Sequence, residues 1–167
     1  MKYLLFSLMT FFAGSISNFA LAPWNYIFVL LFSFPIFFFV LQNIFNEKKI
    51  KNKFLSFILF GNIFLFGYFF FGLVWISSAF DYKEGFAELK FISIFGLPLL
   101  LCLITTPGWI LTTFLWGNGL RGCFALSAGI ITGEFLRSYL FSGFPWNLFG
   151  HSIGFNDFSM QVGSIFG

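Results

Sequence analysis

The chain has 167 residues, of which 59% are hydrophobic and 9% charged, and its mean hydropathy is +0.91. A soluble domain carries about 25% charged residues, so this chain cannot cover a water-facing surface and reads as an all-α integral membrane protein. The net charge of +3 does not mark a nucleic-acid partner: Lys48, Lys49, Lys51 and Lys53 crowd one short loop between apolar runs, as on the cytoplasmic flank of a membrane helix.

The first apolar run covers residues 3–21, long enough to cross a hydrocarbon core of about 30 Å. Ala20, Leu21 and Ala22 have the small-x-small form of a signal-peptide cleavage site. Pro23 directly after that cut, and a polar and small stripe of Thr10, Gly14, Ser17 and Asn18, favour a retained helix instead. The second run, residues 24–45, opens on Trp24 and Tyr26 as interfacial anchors and is expected to kink at Pro35. After the lysine loop comes the third run, residues 54–80, where Gly61, Gly67 and Gly72 permit close helix contact.

The connection over residues 81–90 sets Asp81, Glu84 and Glu88 against Lys83 and Lys90, and this lack of positive excess fits the outer side. The fourth run, residues 91–116, contains Pro98 and Pro107 and is expected to bend or break, with Thr105 and Thr106 placed to satisfy freed carbonyls. A short turn with Arg121 leads to the fifth run, residues 123–141. A last apolar stretch, from about Phe158 to Gly167, is too short to span. The expectation is five transmembrane helices and the start of a sixth. Lys2, the lysine loop and Arg121 agree on a cytoplasmic N-terminus, with residues 81–90 and 142–157 outside. Cys102 and Cys123 lie in apolar stretches without CxxC spacing and are expected as buried free thiols; neither they nor the lone His151 suggest a metal site.

The segment 133–151 breaks the apolar pattern. Ala125, Gly129, Gly133 and Arg137 recur every four residues on one helical face, with Glu134 beside them. Charge inside a spanning helix is costly and faces protein or water, and an ion pair is possible at this i, i+3 spacing. Two readings stand side by side. Glu134 and Arg137 are a structural clamp at the outer end of the helix, or a polar corner in which Arg137 takes a lipid phosphate. Phe144, Pro145, Trp146 and Asn147 follow as an aromatic loop, either an interfacial anchor or the wall of a lipid site.

Glu134-Phe-Leu-Arg137 followed by Ser142-Gly-Phe-Pro-Trp146-Asn-Leu-Phe-Gly150-His-Ser152 resembles the E-W-L-R…T-G-F-P-W…G-Y-S signature of bacterial apolipoprotein N-acyltransferases. Phe19-Ala-Leu-Ala-Pro23, the run from Phe66 to Ile76, and Met160-Gln-Val-Gly163 resemble further segments of that family, in the same order. The resemblance implies a bacterial inner-membrane protein carrying an outward nitrilase-like domain. That domain uses a Glu–Lys–Cys triad to move an acyl chain from a phospholipid donor, through a thioester, to the N-terminal cysteine amine of a lipoprotein acceptor. No cofactor is implied. No triad residue has a counterpart here, because Cys102 and Cys123 fall within apolar spans. Residues 1–167 are therefore expected to be the family's N-terminal membrane part, inactive alone, with no catalytic residue of its own. The residues carried over are Phe144, Pro145, Trp146 and Asn147 as site wall, supported by Glu134 and Arg137. A small transporter or channel subunit and the product of a split gene are the alternatives.

Overall fold

The structure is a computed structural model describing residues 1–82, 87–154 and 161. Lys83 and Glu84, the end of the 142–157 loop, and the expected start of a sixth helix, Gln161 apart, lie outside the described residues. Five long helices make up the described fold, which contains no strand: α1 (Lys2–Ser17), α2 (Leu30–Asn46), α3 (Lys53–Leu73), α5 (Leu97–Leu115) and α6 (Leu120–Tyr139), with a short α4 (Ala87–Phe91) before α5. Among the described residues four segments are long and apolar enough to cross a membrane: Lys2–Ala20, Ile27–Asn46, Lys53–Asp81 and Leu89–Leu115. α6 is the fifth long helix. Its 20 residues reach about 30 Å, and Arg121, Glu134 and Arg137 make it the least apolar of the five. Large apolar side chains such as Leu31, Phe32, Leu103, Phe114 and Phe124 stand exposed around the bundle, as a lipid-facing surface requires.

α3 is the centre, packed on α1 and on α5; α6 lies on α5 and α2 on α1, while α2 and α6 barely touch. Small residues decide which helices approach. A Cβ at Gly14 would collide with the Phe64 carbonyl, and one at Gly67 with the Phe11 carbonyl, so α1 and α3 meet backbone to backbone. Gly108 and Gly129 do the same for α5 and α6, and Gly61 seats the Trp109 ring. Ser17 and Ser33 share a buried 2.5 Å hydrogen bond between α1 and α2. The expected stripe of α1 is used in this packing: Thr10, Gly14 and Ser17 are buried.

Several boundaries differ from expectation. The second span begins at Ile27, because residues 21–26 form a turn with a cis Ala22–Pro23 peptide and Asn25 at φ +54°. The third run leaves the α-helix at Leu73 and continues as a tighter 3₁₀ segment, Val74–Tyr82. The fourth run is interrupted by a π-helical turn at Ile92–Gly96, and Pro98 follows it at the start of α5. α5 then runs unbroken through Pro107, held on both sides by its packing on α3 and α6. Thr105 and Thr106 donate to Leu101 and Cys102 carbonyls one turn back. Cys102 is buried, but Cys123 is exposed, because it lies on α6 where that helix and α2 leave a groove.

The antiparallel course brings Lys2, the lysine loop and Arg121 to one end of the bundle. Lys2 Nζ donates to Glu47 Oε2 at 2.8 Å, and that hydrogen bond holds the Glu47 carboxyl below the usual carboxylate range. Gln42 reaches Asn118 at the same end. Replacing Gly14 with leucine should force α1 off α3 and lower the unfolding free energy in detergent by about 1–3 kcal/mol. Gly150→Ala, where a methyl meets nothing within 4 Å, should leave stability unchanged. Equal stability of the two variants would contradict this packing.

Candidate functional site

At the end opposite the lysines, the last turn of α6 delivers Arg137 into the protein. Its side chain is 1% exposed. Nη1 donates to the Phe144 carbonyl at 3.1 Å and to the Trp146 carbonyl, and Nη2 donates to the Asn147 carbonyl at 3.1 Å. The guanidinium lies over the Phe69 ring, 4.9 Å from its centroid. Glu134 Oε1 stands 3.9 Å from Nη2 and accepts the Phe149 N–H at 2.6 Å. A planar fork of donors can reach several carbonyls at once, as a lysine point charge does not.

The loop is shaped to meet those donors. The chain reverses after Tyr139 through Phe141 at φ +52° and Gly143 at φ +79°. The Phe144 N–H then returns to the Arg137 carbonyl at 2.8 Å. A Cβ at Gly143 would run into the Ser138 carbonyl, so glycine supplies both the left-handed backbone and the space. Asn147, also left-handed at φ +52°, is the junction. Its carbonyl accepts Arg137 and the Tyr68 hydroxyl (2.9 Å), while its amide donates to the Gly72 carbonyl at 3.1 Å. Gly72 admits both that amide and the side chain of Asn18, which donates to the Tyr68 carbonyl at 2.7 Å. Trp146 projects outward, 53% exposed, its ring 5.6 Å from that of Trp75.

Phe144, Pro145, Trp146 and Asn147 therefore form one loop at one end of the bundle, and Glu134 and Arg137 bind it from beneath. The guanidinium spends its fork on backbone carbonyls, which is the geometry of a clamp. His151 shares a surface cavity of about 290 Å³ with Asn25, Trp146 and Asn147. Tyr68, Phe69, Asn18 and Gly72 are not among the expected site residues. Tyr68 carries a usable signal, since a hydroxyl among phenylalanines needs a buried partner. The arrangement holds the aromatic loop fixed at the end of the bundle, with the Trp146 ring presented outward. Arg137→Lys should leave some of the three carbonyls without a donor and lower the unfolding free energy by about 2–4 kcal/mol, at about 1–3 kcal/mol per orphaned group. A denaturant titration in detergent measures this, and wild-type stability in the variant would contradict the clamp.

The Apolipoprotein N-acyltransferase N-terminal domain matches residues 13–167. Relatives named apolipoprotein N-acyltransferase include those of Sinorhizobium fredii (31% identical over 93% of this chain), Rhodopseudomonas palustris (35% over 84%) and Agrobacterium fabrum (33% over 88%). These alignments cover 30%, 26% and 28% of the relatives' own lengths. Apolar helices arranged as multiple spans, the F-P-W loop at one end of the bundle and these similarities lead to one assignment: the chain belongs to the apolipoprotein N-acyltransferase family and corresponds to its N-terminal domain.

Proposed function

We propose that residues 1–167 are the membrane part of an apolipoprotein N-acyltransferase, anchoring the enzyme and giving lipid access to its outer face. The reaction served is transfer of an acyl chain from a phospholipid to the N-terminal cysteine amine of a diacylated lipoprotein. A nitrilase-like domain would supply the thiolate that carries the acyl group as a thioester. Within these residues Cys102 is buried in α5 and Cys123 faces outward along α6, so neither is placed beside a base. The positive-inside rule puts the lysine end in the cytoplasm and the Trp146 loop in the periplasm, within a bacterial inner membrane.

The observation that carries this reading is the fixed aromatic loop. Trp146 stands out from a backbone pinned by Arg137, Tyr68 and Asn147 itself. Such pre-organisation suits a wall against which a lipid chain or headgroup is aligned for attack. Phe144, Pro145, Trp146 and Asn147 are that wall, and Glu134 and Arg137 are its positioning residues.

The purified 167-residue chain, given phospholipid and diacylated lipopeptide, should form no triacylated product; product formation would overturn the assigned division of labour. In the full-length enzyme, Trp146→Ala should slow thioester formation by about 10- to 100-fold, the scale of lost positioning, with little change in melting temperature. An unchanged acylation rate would reduce Trp146 to an interfacial anchor.

A further inference from the structure

Two cavities lie on adjacent residues of the outer turn, Gly150 and His151. Between α2 and α6, which touch only sparsely, runs a mostly apolar groove of about 600 Å³. Phe34, Phe38, Leu126 and Ile130 wall it, and Phe149 and Gly150 close its outer end, where Glu134 also lines it. One residue further along the chain, His151 lines the 290 Å³ surface cavity with Asn25, Trp146 and Asn147. Consecutive Cα atoms are about 3.8 Å apart, so a single thickness of backbone separates the two. Glu134 fixes that partition by accepting the Phe149 N–H.

The groove is within the about 300–1,000 Å³ range of ligand sites. Leu31 and Phe32 on α2, and Ile131 and Phe135 on α6, are exposed beside it, so it opens toward the bilayer hydrocarbon. The surface cavity sets polar side chains among the apolar Leu21, Ala22 and Trp146. The Asn25 amide and the His151 imidazole have no hydrogen-bond partner among the described residues, and both supply N–H donors suited to phosphate oxygens. The Asn147 amide is already committed to Gly72. A mostly apolar groove beside a surface cavity carrying two polar side chains suits an amphiphile laid across the intervening backbone.

We propose that one glycerophospholipid sits astride Gly150, with an acyl chain in the α2/α6 groove and its phosphodiester against His151 and Asn25. The assignment deepens the lipid-handling reading above and rests on it. Gly150 is the crossing point. A Cβ there meets no heavy atom within 4 Å, so a larger side chain at the boundary of the two cavities can be added without displacing protein.

The test uses the 167-residue chain in vesicles of phosphatidylethanolamine and phosphatidylglycerol, doped with a phospholipid bearing a diazirine near the end of one acyl chain. After irradiation, adducts should concentrate on the groove-facing residues of α2 and α6. Gly150→Leu should reduce those adducts about tenfold, the scale of overfilling an apolar site, with an unchanged melting temperature. His151→Ala should reduce them severalfold, and His151→Asn, which keeps an N–H donor, should restore most of the loss. If Gly150→Leu fails to fold, Ser127→Phe on the groove wall should give the same reduction. Adducts spread evenly over all lipid-facing residues, or unaffected by the larger side chain, would overturn the site. So would competition by diacylated lipopeptide but not by phospholipid. Retained acyltransfer by a full-length Gly150→Leu enzyme, together with unchanged adducts, would remove this site and leave the family role standing.

Discussion

A guanidinium withdrawn from both water and lipid governs the outer end of this protein. Burying Arg137 alone would cost several kcal/mol, and the cost is offset only because the chain folds back to present three carbonyls and the Phe69 face. The dependence runs both ways. Residues 144–147 have no regular secondary structure of their own, and backbone carbonyls at a membrane surface need donors. The clamp therefore makes a loop as definite as a helix, and it fixes where Trp146 and, through Glu134 and Phe149, the following turn must lie. Breaking such an arrangement from one side leaves unpaired polar groups, so it behaves as a unit.

Below that level the fold is set by where the chain lacks side chains. Lipid tails are as apolar as phenylalanine, so burying rings provides little drive for helix association in a membrane. Close backbone approach does. Glycines bring α1 against α3 and α5 against α6, while α2 meets α6 with Phe34, Pro35 and Phe38 and no small-residue stripe. The same rule thus explains the tight contacts and the open α2/α6 groove. Rings fill the remaining interior, with Phe37 stacked on Phe64 at 4.3 Å and Phe149 on Tyr68 at 4.4 Å, the second of these tying the outer turn to α3.

What is legible in the sequence follows from energy terms attached to particular residues. The four-residue recurrence ending at Arg137 locates the buried face of α6, and the cost of charge in hydrocarbon singles out Glu134 and Arg137 themselves. Their partners leave no such mark, because backbone carbonyls are the same in every sequence. Asn147 and Gly143 carry the left-handed turns, yet many loops contain these residue types. The start of α2 reads too early in the sequence, since Trp24 and Tyr26 are apolar enough to look helical although they belong to a turn. Pro107 reads as a break in a helix that tertiary packing keeps continuous. The α2/α6 groove and the exposure of Cys123 depend on how two distant helices sit side by side, which no local pattern encodes.

The central claim is that Arg137 is spent on backbone carbonyls and not on a lipid phosphate. Solid-state NMR can measure this directly on the reconstituted chain, with ¹⁵N in the arginine side chains and ¹³C in the Trp146 and Asn147 carbonyls. With Nη2 at 3.1 Å from the Asn147 oxygen, the nitrogen-to-carbonyl-carbon separation should be about 4 Å. Strong dipolar dephasing between these labels, lost in Arg137→Lys, is the result expected. Absence of that coupling, with the Arg137 nitrogens dephased by lipid ³¹P instead, would contradict the account.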